Sequence, residues 1–174
     1  MAYYNPNAPI FFGLDDLMVL ITDILISDYA IISKNGVPVS SVSLVTGNFI
    51  LLDSTDTLTT STTTSFTNPF PGLLQYNEVI QHSAYYQITY TISALMLATT
   101  PDITFSLSIG SVIDDPSTQF LHFDSNYREA TGTTIVQLTP NQQIGLYART
   151  SGANDTMHIQ NISISVVKIM QPPS

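Results

Sequence analysis

The chain has no cysteine and no tryptophan among its 174 residues, and only four of its residues are Lys or Arg. The absence of cysteine excludes disulfides, thiolate nucleophiles, iron–sulfur clusters and cysteine-based zinc sites. With 13 acidic residues, the formal net charge is −9. A chain of this charge is poorly suited to a phosphate backbone or to acidic lipid headgroups. We therefore expect no nucleic-acid binding and no attachment to a membrane.

Long apolar runs and a secretory signal are also missing. The most apolar stretch, residues 17–26, contains Asp23, and it is shorter than the roughly 20 apolar residues of a spanning helix. No basic residue precedes it near the start of the chain, so we expect no signal peptide. Charged residues make up 10% of the chain, against about 25% in average proteins. The surface is therefore expected to consist largely of uncharged polar residues.

Alternating apolar and polar residues dominate the second half of the sequence. In residues 84–97, Tyr86, Ile88 and Tyr90 alternate with polar residues, and residues 102–110 repeat the pattern. This period of two predicts strands with one buried face. Further strands are predicted at residues 120–123, 133–138, 143–148 and 157–169. Short strands separated by turn residues indicate an all-β antiparallel sandwich or jelly roll.

The first 55 residues are more ambiguous, and we assign them to an N-terminal attachment segment. Over residues 14–26 the apolar residues have helical spacing, whereas the many β-branched side chains favour a strand. Asn35-Gly36, between two apolar runs, predicts a hairpin. A second strand pair is expected around Gly47-Asn48 within residues 43–53, and the sequence leaves open whether this pair belongs to the attachment segment or to the following domain.

The remaining chain divides at a stretch rich in Thr, Ser and Pro. Residues 56–71 are interpreted as a connection, and residues 72–174 as a jelly-roll head. The apolar residues proposed to make the attachment lie in the N-terminal segment, and they are Leu17, Met18, Ile21 and Leu25.

Three places in the head resemble the complement-1q and tumour-necrosis-factor superfamily of jelly rolls, over about residues 72–170. Ala84–Tyr90 is similar to the Gly-x-Tyr-x-Phe-x-Tyr strand of that superfamily, with Ala in place of Gly and Ile in place of Phe. Residues 134–146 are similar to its penultimate hairpin, and residues 161–169 to its closing strand. The polar, cysteine-free composition is closest to the microbial and viral members.

The resemblance implies a jelly roll that assembles as a tight homotrimer. Such heads sit on fibres, spore-coat filaments or capsids, where they display and bind but do not catalyse. The candidate interface residues are Tyr86, Tyr90 and Tyr147, because strand aromatics are typical of buried interfaces. The alternative interpretation is that these tyrosines line the core of the single subunit.

Motifs for catalysis and metal binding are absent from the sequence. The three histidines, His82, His122 and His158, form no metal-binding motif. The sequence contains no nucleophile elbow and no phosphate-binding glycine loop. Asp114-Asp115 precedes Pro116 and is interpreted as a turn. We expect no enzymatic activity, no metal and no cofactor.

Two hypotheses for function follow from these features. The first is a structural virion protein, such as a capsid decoration, a minor capsid component or a head fibre, assembled in the host cytoplasm and docked to other capsid proteins. The second is a head on a bacterial cell or spore surface that binds a glycan or a receptor.

Overall fold

The computed structural model describes residues 28–34, 40–52, 59–63, 65–77, 84–96, 101–124 and 126–170. These residues form strands, apart from a single 3₁₀ turn at Asp115–Ser117 and the connections between strands. No helix in these ranges is long and apolar enough to cross a membrane. The strands in chain order are β1 (Tyr29–Lys34), β2 (Ser40–Leu44), β3 (Ile50–Leu51), β4 (Thr59–Thr62), β5 (Phe66–Phe70), β6 (Leu73–Tyr76), β7 (Tyr85–Met96), β8 (Asp102–Ile109), β9 (Val112–Ile113), β10 (Gln119–His122), β11 (Arg128–Gln137), β12 (Gln143–Thr150) and β13 (Asp155–Met170).

The strands form two antiparallel sheets that pack face to face. The first sheet has the order β11-β7-β13-β1-β4, with β2 also paired to β13. The second has the order β10-β8-β12-β6-β5, with β3 paired to β12 and β9 to β8. The core lies between the sheets, where alternate residues of each strand point inward. The resulting structure is an all-β jelly roll, which confirms the fold class predicted from the alternation and the family resemblance.

The long strands of the second half agree closely with the sequence prediction. In β7 the even-numbered residues from Tyr86 to Met96 are buried, which is the predicted inward face. In β8, Ile103, Phe105 and Leu107 point inward as expected. The outward residues of β8 are nevertheless also buried, because β9 and the 3₁₀ turn fold against that strand. A prediction based on period alone misses such local cover.

The hairpin predicted at Asn35-Gly36 is wrong. These two residues lie outside the described ranges, but the strands on either side of them do not pair with each other. β1 pairs with β13 over residues 162–167, and β2 pairs with β13 over residues 155–159. β1 and β2 therefore run in the same direction along one edge of β13. The turn propensity of Asn-Gly is overridden by pairing with a 16-residue strand.

The turn predicted at Gly47-Asn48 is present, although its flanking strands belong to different sheets. Gly47 has a φ of +75°, and the Asn48 amide donates to the Val45 carbonyl oxygen over 3.2 Å. β2 before the turn joins the first sheet, whereas β3 after it pairs with β12 in the second. Residues 43–51 thus form a crossing between sheets, which differs from the strand pair expected around Gly47-Asn48.

The predicted boundary at residue 55 does not coincide with an edge of the sheets. β1, β2 and β3 lie before it and pair with β12 or β13 near the end of the chain. The Thr/Ser-rich stretch interpreted as a connection also contributes strands, because β4 pairs with β1 and β5 with β6. The question left open for residues 43–53 is thereby answered, since Leu44 and Leu52 are core residues of the jelly roll. The helix or strand expected over residues 14–26 lies outside the described ranges.

Gly132 marks the closest approach between β11 and the interior. It pairs with Tyr90 on β7, and the ring of Tyr90 lies across it. A Cβ at this position would overlap both the Tyr90 ring and the backbone carbonyl oxygen of Ser117. The fold therefore requires a residue without a side chain at position 132.

We expect Gly132→Ala to lower the free energy of unfolding by about 1–3 kcal/mol, because overpacking against a ring and a backbone atom cannot relax easily. Gly145→Ala is the matched control. Its Cβ would meet side-chain methyl groups of Leu73 and Leu51 at 2.7 and 2.8 Å, and flexible side chains can move. Urea denaturation of both variants measures the difference. An equal or smaller loss for Gly132→Ala would contradict this account.

Candidate functional site

Two of the three predicted interface tyrosines are core residues of the single chain. Tyr86 and Tyr90 lie on the inward face of β7, and neither side chain is exposed. Their packing corresponds to the alternative interpretation, so neither offers surface to a second subunit. Tyr147 is half-buried on the outward face of β12, beside Gly145, and its role at an interface stays a prediction.

Tyr86 belongs to a buried polar network at one end of the sandwich. Its hydroxyl donates to Asp28 Oδ2 over 2.8 Å and lies 3.3 Å from the Tyr76 hydroxyl. Thr63 Oγ1 also donates to the Asp28 carboxylate. Burial raises the pKa of the Tyr86 hydroxyl far above its usual value, and the hydrogen bonds with Tyr76 and Asp28 raise it further. The network holds the residue before β1 against the core.

Tyr90 anchors the 3₁₀ turn from the opposite sheet. Its hydroxyl donates to the Ser117 carbonyl oxygen over 3.0 Å, and burial raises its pKa. Ser117 Oγ in turn accepts from the Leu107 amide over 3.0 Å, at a point of β8 between its pairings with β10 and β9. Asp114 caps the turn by accepting from the Ser117 amide over 3.0 Å. The turn predicted at Asp114-Asp115 is confirmed, and its role is structural.

The histidines that the structure describes are not gathered into a site. His122 Nδ1 lies 2.8 Å from Asp102 Oδ1 in a pair that is about two-thirds exposed. His158 Nδ1 lies 3.0 Å from Ser41 Oγ, but no carboxylate orients the ring among the described residues, as a nucleophile–base pair requires. The described part of the chain holds no cluster of three metal-ligating side chains. His82 and the attachment residues Leu17, Met18, Ile21 and Leu25 lie outside the described ranges.

The outward face of the first sheet is almost free of charge. Along β1, β7, β11 and the part of β13 from residue 161, Glu129 is the sole charged residue among the described outward positions. The other outward residues are Tyr29, Ile31, Ser33, Tyr85, Gln87, Thr89, Thr91, Ser93, Leu95, Thr131, Thr133, Ile135, Gln137, Asn161, Ser163, Ser165, Val167 and Ile169. We call this the neutral face. Its polar part includes the hydroxyls of Thr89 and Thr133, which lie 3.0 Å apart.

Exposed apolar side chains concentrate at one end of the neutral face. Ile135 is 59% exposed, and the strand register places it and Val167 on either side of Gln87. Tyr85, Ile169 and Ile31 are also exposed there. An apolar group without charges, surrounded by hydroxyls and amides, is typical of a surface that a protein partner covers. Sequence periodicity identifies these outward positions, but only the register across strands brings them together.

No known family profile matches the sequence, and no curated protein sequence is measurably similar to it. Among solved structures, the Eiger TNF of S. frugiperda is 11% identical, with a TM-score of 0.52 over 85% of this chain and 96% of that chain. The PRD1 vertex protein P5 is 16% identical, with a TM-score of 0.49 over 82% and 97%. Murine APRIL is 8% identical, with a TM-score of 0.48 over 81% and 99%. The likeness to Eiger TNF shows the TNF-like jelly-roll fold that the sequence resemblance implies.

The buried tyrosines predict a loss of stability in alkali. Because their pKa values are raised in the folded state, their contribution is fully present below about pH 10, the pKa of an unfolded tyrosine, and it falls as the pH rises further. We expect the free energy of unfolding to decline steeply above that pH. Tyr86→Phe should make the decline shallower, whereas Tyr85→Phe, at an exposed site, should leave it unchanged. Urea titrations at several alkaline pH values measure the slope, and equal slopes in both variants would refute this assignment.

Proposed function

We propose that the protein is a non-enzymatic structural component of a virion. In this proposal the jelly roll forms a homotrimeric head through its neutral face, and the residues before β1 dock the head to another capsid protein. The proposal includes assembly in the host cytoplasm. The observation that carries it is the neutral face itself, a broad outward sheet surface with one charged residue in a chain of net charge −9.

The neutral face has the properties that a subunit interface needs. Interface centres are depleted of charge, and burying exposed apolar area contributes roughly 25 cal/mol per Å². Ile135, Val167 and Ile169 would gain this contribution on assembly, whereas an isolated subunit leaves them in water. In an oligomer with closed rotational symmetry, the neutral face of every subunit is covered, and assembly stops at a fixed number of subunits. The TNF-like fold supports a trimer as the oligomer.

A structural role agrees with the chemistry of the described residues. The buried polar groups of Asp28, Tyr86, Tyr90 and Ser117, together with the half-buried carboxylate of Asp114, bond to one another or to the backbone, so they serve the fold. A surface built from Thr, Ser, Asn and Gln without cysteine suits a protein that neighbours cover in a particle. Tyr147, predicted as a trimer-interface residue, lies on the second sheet and therefore outside the neutral face.

The function is tested directly in purified particles. Antibodies raised against the recombinant chain should label virions in electron microscopy, at sites repeated with the symmetry of the capsid. Labelling of bacterial cells or spores, with none on virions, would instead support a head on a bacterial surface. A catalytic turnover that depends on the intact chain would overturn the non-enzymatic role.

The oligomer is tested with a charge on the neutral face. We expect the wild-type chain to have three times its 19.0 kDa subunit mass in native mass spectrometry, and Ile135→Glu to yield a folded monomer, because a carboxylate buried without a partner is costly. Val112→Glu is the matched control, since Val112 is 68% exposed on the second sheet. A monomeric wild-type chain, or a trimer that Ile135→Glu leaves intact, would disprove the proposed interface.

The attachment is tested by removing residues 2–27, which leaves every described strand and Asp28 in place. We expect the shortened chain to stay folded and to have three times its own subunit mass in native mass spectrometry. When supplied to cells that produce particles, it should not enter them, while the full chain does. A milder variant, Leu17→Asp with Ile21→Asp, should have the same effect. Equal incorporation of all three would contradict the role of this segment.

A further inference from the structure

A groove crosses the outward face of the second sheet, opposite the neutral face. The strand register aligns Arg149 on β12, Thr104 on β8 and Phe120 on β10 in one row. Phe49, directly before β3, extends the row beyond β12, because the guanidinium carbon of Arg149 lies 4.8 Å from the centre of its ring. The groove has a volume of about 430 Å³, which is within the range of small-ligand sites, roughly 300–1,000 Å³.

The walls of the groove combine aromatic, hydroxyl and charged groups. Phe120 is 70% exposed, although an aromatic ring of this size is more often buried. Thr104 forms the floor, and Thr118 and the exposed Asp115 come from the segment around the 3₁₀ turn. The same segment is fixed to the core through Ser117 and Tyr90. The groove is therefore held by the fold before any ligand arrives.

Arg149 has an unusual environment for one of the four basic residues of an acidic chain. Its guanidinium contacts the ring of Phe49, and it makes no hydrogen bond or ion pair with any residue that the structure describes. Asp115 lines the same groove, yet no ion pair joins the two residues. By contrast, Arg128 is paired with Asp124, and this pairing lowers the pKa of the aspartate. An aromatic ring thus orients the guanidinium of Arg149, and its donors bond to none of the described residues.

We infer that this groove binds a sugar residue that carries a carboxylate. Arg149 would bind the carboxylate through two parallel N–H···O bonds, the strongest geometry available to arginine. The apolar face of the sugar ring would pack on Phe120, and its hydroxyls would donate to Asp115 and exchange hydrogen bonds with Thr104 and Thr118. The inference goes beyond the virion role and holds independently of the trimer.

The charges favour an acidic sugar over an acidic peptide. A peptide with several carboxylates would place one of them near Asp115, where like charges repel. A sugar ring offers one carboxylate for Arg149 and several hydroxyl donors for Asp115, so both charges of the groove find a complementary group. The exposed ring of Phe120 offers apolar area on which the face of a sugar ring can pack, whereas the side chains of an acidic peptide provide no such ring.

Calorimetric titration of the full chain with trigalacturonate and with 3′-sialyllactose tests the inference. The neutral counterparts are the methyl esters of the two saccharides. We expect at least one acidic saccharide to bind at millimolar concentration or tighter, and its neutral counterpart to bind at least about tenfold more weakly. Arg149→Gln should cause a similar loss. Arg128→Gln removes the same charge outside the groove and should have no effect.

A second pair of variants tests the aromatic contact. Phe120→Ser should weaken binding of the acidic saccharide, whereas Val112→Ser, at a similarly exposed site outside the groove, should not. Oligoglutamate serves as the acidic peptide. Binding of oligoglutamate as tight as that of the saccharide, equal affinity for the neutral counterparts, or no binding of either acidic saccharide would each overturn the inference. The ester comparison decides the question even if Arg149→Gln fails to fold.

Discussion

The pairing of β13 along both of its edges is the constraint on which the rest of the structure depends. This strand of 16 residues pairs with β7 on one side and with β1 and β2 on the other. On each side of the β-bulge between Ile159 and Asn161, its period of two fixes which face of each neighbour points inward, since a slip of one residue would expose the apolar side chains. The core, the neutral face and the positions of the early strands all follow from this register.

The sequence predicts the long strands well because each of them carries its own pattern. Ile88 and Tyr90 in β7, or Phe105 and Leu107 in β8, alternate with polar residues over enough length to identify the inward face. The early strands are harder, since β3 has two residues and β4 consists of Thr and Ser. The place of β3 is decided by β12, more than 80 residues away in the chain, and β4 pairs with β1, which itself is placed by the distant β13. Local periodicity does not encode these partners.

The functional surfaces likewise combine positions that local alternation predicts with groupings that depend on pairing between distant strands. The outward positions of the neutral face can be read from alternation, but the grouping of Ile135 with Val167 requires the pairing of β11, β7 and β13. The predicted tyrosines Tyr86 and Tyr90 show the limit of composition, because aromatics on a strand serve a core as readily as an interface. Arg149 and Phe120 lie 29 positions apart in the sequence and carry no motif, so only the sheet brings them into one groove.

The collinear arrangement of β1 and β2 has a consequence for engineering. Lys34 pairs with Ile162, and Ser40 pairs with Ile159, so both ends of the intervening segment are anchored on the same strand. The register of either strand is set by β13 and does not depend on the number of residues between them. The entropic cost of closing a loop grows only slowly with the number of residues in it. Residues 35–39 are therefore a suitable position to insert a foreign peptide for display, while the sandwich on either side keeps its pairing.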